Sequence, residues 1–326
     1  MREALAPPYG PDMRVVVALG GNAMTAADGS ANPQDQLAAV AVAAEHIAEL
    51  VAQGAEVMVT HGNGPQVGNL LVKNELAVDV VPPVPLDWCG AQTQATIGFV
   101  LVDALEQALA IRGVQRPVAA IVSRTLVDRD DPAFARPTKP VGRYLPEADV
   151  RRLIEHGQTW EDRGERGWRR VVASPRPLEI LDAPAARTLS EHGFVVVASG
   201  GGGIPVARDA DGMLRGVEAV IDKDASAALL ATMVEADVLV IATDVEHAVL
   251  DYRTPQARAL GMVTLAEMRD HAAAGQFTSG SMGPKVEAAC SFVERGAQCD
   301  ARSVITSLAR ITDAVQRSAG TVVRAQ

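Results

Sequence analysis

Cysteine is almost missing from this chain. Cys89, Cys290 and Cys299 are its three cysteines, too far apart for a disulfide framework or for the spacing of a cysteine metal site. Aromatic residues are also scarce, at 3%, against 48% hydrophobic residues in total, so the core has to be aliphatic, built from Ala, Val and Leu. Positive charge is in deficit. Thirty Lys and Arg against 40 Asp and Glu leave a net −10, which argues against nucleic acid or an anionic membrane as partner. No uninterrupted apolar run reaches the ~20 residues of a membrane span, and the Pro-rich start, Met1 to Arg14, has no apolar signal-peptide region. A soluble cytoplasmic protein is the expectation. Familiar catalytic signatures are absent too: G-x-x-x-x-G-K-[ST], G-x-G-x-x-G after a strand, H-E-x-x-H and G-x-S-x-G.

The most informative shortage is lysine. Of the 30 basic residues four are lysines, Lys73, Lys139, Lys223 and Lys285. A chain that uses arginine for generic positive charge keeps lysine where a compact point charge is needed and a planar fork does not fit. Lys139, Lys223 and Lys285 each lie beside Gly, Pro or Asp in loop-like settings, whereas Lys73 falls in a helical run.

What is present centres on Val195 to Asp224. Val195–Ala198 reads as a buried parallel strand, and Gly200–Gly203 follow as four consecutive glycines. These read as backbone kept bare for close approach to a ligand. Asp222-Lys223-Asp224 then precedes an Ala/Leu-rich helix, with Asp224 expected as its N-cap. Strand, glycine turn, lysine and helix start together indicate a phosphate site.

Around this stretch, strands and helices alternate. Strands are expected at Val15–Leu19, Glu56–Thr60, Val118–Val122, Asp237–Ala242 and Ser303–Ile305, with amphipathic helices near Leu37–Val51 and Ile97–Ala108. The pattern predicts an α/β protein with a parallel sheet, whose ligand site lies beyond the carboxyl ends of its strands. Glycines at three such ends, Gly20, Gly62 and Gly200, should lie side by side. Asp128–Pro177 breaks the pattern with six prolines and dense mixed charge, and it reads as an inserted lid carrying Lys139 in the turn Thr138–Gly142. The expected division is a tail at 1–14, an acceptor-binding part at 15–127, the lid at 128–177 and a nucleotide-binding part at 178–326. Asp244, after a strand, could orient a cation or face a ribose or Mg²⁺. Pro284 is expected at the first position of a helix, which sets Lys285 in its first turn against the helix dipole, as an anion site requires. His61 reads as structural. With lysines, glycine N–H groups and no acid/base pair, the chemistry indicated is phosphoryl transfer, where positioning and electrostatics supply most of the rate.

Nine blocks in order, VVVALGGNA, VTHGNGPQVGNL, PLDWCGAQTQATIG, KPVGR, WRRVVASPRP, SGGGGIPV, EAVIDKD, TDV and GSMGPKVEAA, span the chain from Val15 to near its end. In these it resembles the carbamate kinases of the amino-acid kinase fold. The resemblance implies a three-layer α/β/α sandwich with a mainly parallel central sheet and a protruding lid subdomain, and a homodimer. It implies the reaction ATP + carbamate ⇌ ADP + carbamoyl phosphate, with Mg²⁺ held mainly through the nucleotide phosphates and by no protein ligand set. Lys139, Lys223, Lys285 and Asp224 are the implied catalytic residues. Gly20, Gly21, Asn22, Gly62, Asn63, Gly64, Gly200 and Gly201 would bind the acceptor. Lys223, Asp244, Met282 and Lys285 would bind the nucleotide. Three places depart from the family pattern: Glu246-His247-Ala248 after Thr243-Asp244-Val245, Arg143 where proline is usual, and Ala95 where glycine is common. A relative acting on another small carboxylate, or a non-catalytic nucleotide sensor, are the alternative readings.

Overall fold

The computed structural model describes residues 13–21, 32–155, 157–277, 282–296 and 301–326. The chain opens with β1 (Arg14–Leu19), α1 (Pro33–Ala52), β2 (Glu56–His61), α2 (Gly64–Ala77), α3 (Leu86–Ile111), β3 (Val118–Ala120) and β4 (Arg124–Val127). A stretch of different build follows: α4 (Pro132–Ala135), β5 (Lys139–Leu145), α5 (Glu147–Glu155), β6 (Thr159–Asp162) and β7 (Trp168–Val172). Next come β8 (Pro177–Ile180), α6 (Ala183–Glu191), β9 (Val195–Val197), β10 (Ile204–Arg208), β11 (Leu214–Gly216), α7 (Lys223–Met233) and β12 (Val238–Thr243). The chain ends with β13 (Val249–Leu250), β14 (Arg258–Ala259), β15 (Met262–Thr264), α8 (Leu265–Ala273), α9 (Met282–Arg295), β16 (Arg302–Ser307), α10 (Ile311–Val315) and β17 (Thr321–Arg324).

Eight strands form the central sheet in the order β15-β17-β16-β12-β1-β2-β9-β3. Every pair is parallel except β16 with β17. Strand alternation splits the core into two layers. Val15, Val17 and Leu19 of β1 pack with α1, α3 and α10 on one face, and Val16 and Ala18 pack with α7 and α9 on the other. Helix α7 meets the sheet through Leu230 and through Ala227, Ala228 and Ala231, whose small side chains allow close approach. This is the three-layer α/β/α sandwich. Helix α3, at 26 residues, has the length and hydropathy of a membrane span, although polar residues interrupt it. In the fold it is a core helix: Leu101 and Leu105 are fully buried in the layer shared with α1.

Strands β5, β7 and β6 form a separate antiparallel sheet, with a small core of Leu145, Val150 and Trp160. A core this small needs no long apolar run. Strand β8 belongs instead to a four-stranded sheet, β11-β10-β4-β8.

The parallel register fixes the site. Leu19 of β1 lies level with His61 of β2 and Ala242 of β12. Gly20 donates its N–H to Ala242 O at 2.9 Å and Gly62 donates to Leu19 O at 2.9 Å, so the turns leaving these strands sit edge to edge.

Candidate active site

Helix α7 organises the charges. Its N-cap is Asp222, in extended backbone (φ −68°, ψ 121°), whose Oδ1 accepts from the N–H groups of Asp224 at 3.0 Å and Ala225 at 3.2 Å. The expectation that Asp224 caps the helix is therefore corrected by two residues. The shift has a chemical consequence. Asp224, inside the first turn, has its carboxylate free to accept from Lys223 Nζ at 2.6 Å and Lys285 Nζ at 3.2 Å. The second oxygen of Asp222 accepts from Lys139 Nζ at 2.7 Å. Three of the four lysines thus meet at one helix start, while Lys73 is exposed on α2.

Gly20, Gly21, Gly62, Asn63, Gly64, Gly201, Lys139, Lys223, Asp224 and Lys285 line one cleft of about 430 Å³, together with Asp222 and Thr243. Three helices, α2, α7 and α9, begin at its wall, and helix starts carry partial positive charge. Asn63 precedes α2 without capping it and donates its side chain to Thr93 Oγ1 at 2.9 Å instead. Three ammonium groups face two carboxylates, a local excess of +1 in a chain of net −10. Burial pushes the Lys223 ammonium below its ordinary pKa; Asp224 opposes the shift and the like charge of Lys285 adds to it. Burial would raise the Asp222 carboxyl, but the charge and hydrogen bond of Lys139 outweigh it and hold the group below the usual carboxylate range. The cleft is built to receive an anion with several oxygens.

The glycine run serves this cleft less directly than its sequence implies. Only Gly201 of the four lines it. A β-carbon on Gly200 would overlap the His61 ring, on Gly201 the Asn63 amide, on Gly202 the Ile221 carbonyl, and on Gly203 the Thr125 hydroxyl. Gly202 and Gly203 also have φ of +91° and +89°, which L side chains rarely adopt. Packing therefore demands the four glycines, contrary to the reading of bare backbone at a ligand. A buried polar network holds the turn. Thr125 Oγ1 and Ser226 Oγ donate to Gly202 O at 2.7 and 2.9 Å, and Gln94 Nε2 donates to Gly200 O at 2.9 Å. Ser199, at φ 55°, is fixed by its N–H on Ser123 Oγ at 2.8 Å and its hydroxyl against Ser226 Oγ at 2.9 Å. Sequence reading missed these supports; the Gln94 block and the Ser226 position inside α7 carried no recognisable chemical signal. His61 is buried under Gly200, and burial lowers its pKa to about 4, so it stays neutral at ordinary pH.

Other expected residues lie apart. Gly200 follows β9, the neighbour of β2, and packs on His61 as its place at an adjacent strand end predicts, but it does not line the cleft. Asp244 is exposed and accepts from Thr243 Oγ1 at 2.9 Å. Met282 is the first residue of α9 and packs on the core. It follows that Pro284 is third in the helix, not first; its missing N–H is still one that the first turn leaves unpaired. Asn22 lies outside the described residues. Arg143 turns away to Glu75 Oε2 at 3.3 Å, and Ala95 is exposed on α3, so neither lines the cleft. Glu246 pairs with Arg310 at 3.6 Å, and His247 Nδ1 lies 3.1 Å from Leu260 O.

The model of the amino acid kinase family matches residues 13–306. The carbamate kinase of Thermococcus kodakarensis is 46% identical over 95% of this chain and 98% of its own. Carbamate kinase 1 of Enterococcus faecium is 43% identical over 90% of this chain and 93% of its own. The solved structure of carbamate kinase from Giardia lamblia bound to AMP-PNP superposes with a TM-score of 0.90 at 39% identity, covering 96% of this chain and 98% of that one. The chain belongs to the amino acid kinase family, among its carbamate kinases.

Proposed function

We propose that this chain catalyses reversible phosphoryl transfer between ATP and carbamate, giving ADP and carbamoyl phosphate. The observation that carries the reading is the cluster of Lys139, Lys223 and Lys285 around Asp222 and Asp224, at a cleft where three helices begin. Carbamate is already an anionic oxygen nucleophile, so no general base is needed, and His61 is in no position to act as one. The acceptor lies among Gly20, Gly21, Gly62, Asn63, Gly64 and Gly201. Lys223 and Lys285 neutralise the transferring phosphoryl group while Asp224 fixes both ammonium groups, and Lys139 closes the site from the β5-β7-β6 sheet, which acts as a lid. Among the described residues no group of three or more His, Cys, Asp or Glu could hold a metal ion. Mg²⁺ carried on the nucleotide phosphates would neutralise charge there. The base and ribose are placed beside Thr243, Asp244 and the start of α9.

The active form in this proposal is a cytoplasmic homodimer. Trp88 and Phe99, each 58% exposed, lie on one face of α3, eleven residues apart. Strand β3 at the sheet edge packs beside that helix, Ala120 against Gly98, and exposed Val122 follows it. An apolar helix face beside an open sheet edge suits a second copy. The test of function is ATP formation from ADP, Mg²⁺ and carbamoyl phosphate in a coupled assay. Turnover is expected. A folded protein that is stabilised by Mg²⁺–ADP yet makes no ATP would shift the reading to another small carboxylate acceptor.

A further inference from the structure

We propose that Asp222 is a positioning residue for Lys139, joining the start of α7 to the lid through one carboxylate. The proposal rests on the phosphoryl-transfer reading and adds a residue to it. Oδ1 of Asp222 takes the N–H groups of Asp224 and Ala225, and Oδ2 takes the Lys139 ammonium at 2.7 Å, across 83 residues of chain. Capping alone does not call for a charge, because asparagine caps a helix as well as aspartate. The charge answers Lys139. Among the described residues Asp222 is the one hydrogen-bond partner of that ammonium. Lys139 is the first residue of β5, on a long flexible side chain that has to be held to act at a fixed point. Asp224 is turned to the other two lysines, its oxygens accepting from Lys223 and Lys285. Asp222 also stands in the wall between the cleft and a neighbouring groove of about 440 Å³ along α7 and α9.

The experiment compares Asp222→Asn, Asp222→Ala, Lys139→Ala and the double variant Asp222→Asn/Lys139→Ala with the wild type. The asparagine keeps the cap and drops the charge. Expected for Asp222→Asn are a Tm within about 2 °C of wild type, an unchanged KM for ADP, and kcat lower by about ten-fold from misplacement of Lys139. In the Lys139→Ala background the asparagine is expected to have no further effect on kcat. Asp222→Ala should show the same kcat loss together with a lower Tm. Wild-type kcat in Asp222→Asn would overturn the proposal, as would an equal loss in the presence and absence of Lys139. Amide hydrogen exchange across β5 gives a readout that needs no turnover: faster exchange in Asp222→Asn supports the link, and unchanged exchange removes it. If the wild type makes no ATP, the functional reading fails, and the exchange data still judge the contact.

Discussion

Two aspartates, two residues apart on one helix start, hold the lysines in contrasting ways. Asp224 has 5% of its side chain exposed and sits between Lys223 and Lys285, itself 6% exposed. Asp222 is 27% exposed, and its partner Lys139 is 34% exposed and belongs to another sheet. The first group is a largely buried charge cluster in the cleft wall, with Lys223 its most open member at 19% exposed, and each member makes the others tolerable. The second is a contact between α7 and the β5-β7-β6 sheet, reachable by solvent and by salt. In the proposed mechanism the core then supplies a fixed electrostatic field and the β5-β7-β6 sheet, as a lid, an adjustable one.

The largest expected effect tests the buried cluster. Asp224→Ala would leave the ammonium groups of Lys223 and Lys285 without the carboxylate they share, and breaking a buried pair in this way costs about 3–5 kcal/mol. Chemical denaturation should show a much lower midpoint, with activity lost. Removing Asp222 should cost less, roughly the ~1 kcal/mol of a helix cap plus the small contribution of a half-exposed pair. Equal losses at the two positions would dissolve the contrast between core and lid.

Lysine-to-arginine exchange comes next in size, because it keeps charge and changes shape. At Lys285, 6% exposed and held on Asp224, the larger guanidinium would displace the pairing, and kcat should fall by roughly 100-fold, as for loss of one transition-state contact. At half-exposed Lys139 the lid can adjust, and a fall of about ten-fold is expected. Lys73→Arg, on the exposed face of α2, should leave kcat unchanged. The three values of kcat, with circular dichroism to confirm folding, check the ranking; equal loss at Lys139 and Lys285 would show that the lid is as rigid as the core.

Titration sharpens the same point. Burial lowers the Lys223 pKa below its ordinary 10.5. Between the folded pKa and 10.5 the unfolded chain binds more protons than the folded one, so this group makes stability rise with pH while the ammonium needed for transfer is being lost. The alkaline limb of kcat should therefore fall below pH 10.5 in protein that remains folded by circular dichroism. Asp224 is what raises the Lys223 pKa against burial, so Asp224→Asn should move the limb lower still, provided the variant folds. A limb that does not move would mean that another group controls it.

Much of the scaffold was legible because it depends on local pattern. Apolar strands ending in glycine, followed by helices of period 3.6, gave the sandwich and put Gly20 and Gly62 at neighbouring strand ends. Lysine scarcity picked out Lys139, Lys223 and Lys285 without reference to any relative. What stayed hidden depends on tertiary partners. In Asp222-Lys223-Asp224 either acid could cap the helix; which one does is decided by where Lys139 and Lys285 arrive, from 83 residues before Asp222 and 61 after Asp224. The glycine run could not reveal its reason, because His61, Asn63, Ile221 and Thr125 press on it from four other places in the chain. Asp244 and Met282 follow recognisable motifs, but their motifs do not say which way the side chains lie.

The smallest expected effect concerns Arg143, the lid residue that stands where proline is usual in the family. It lies in β5, where the register with β7 is irregular between Val141 and Tyr144, and its guanidinium reaches Glu75 of α2 at 3.3 Å with half its side chain exposed. Such a pair contributes about 0–1 kcal/mol and is weakened further by salt. It does not line the cleft, so it has no route to the acceptor except through the seating of the lid on α2, which Gly142 against Gly68 already provides at close range. Arg143→Ala should therefore leave Tm unchanged and kcat and the KM for carbamoyl phosphate within about two-fold of wild type. A change in that KM of ten-fold or more, with the KM for ADP unaffected, would mean that Arg143 acts on the acceptor, and the lid would then contribute specificity as well as Lys139.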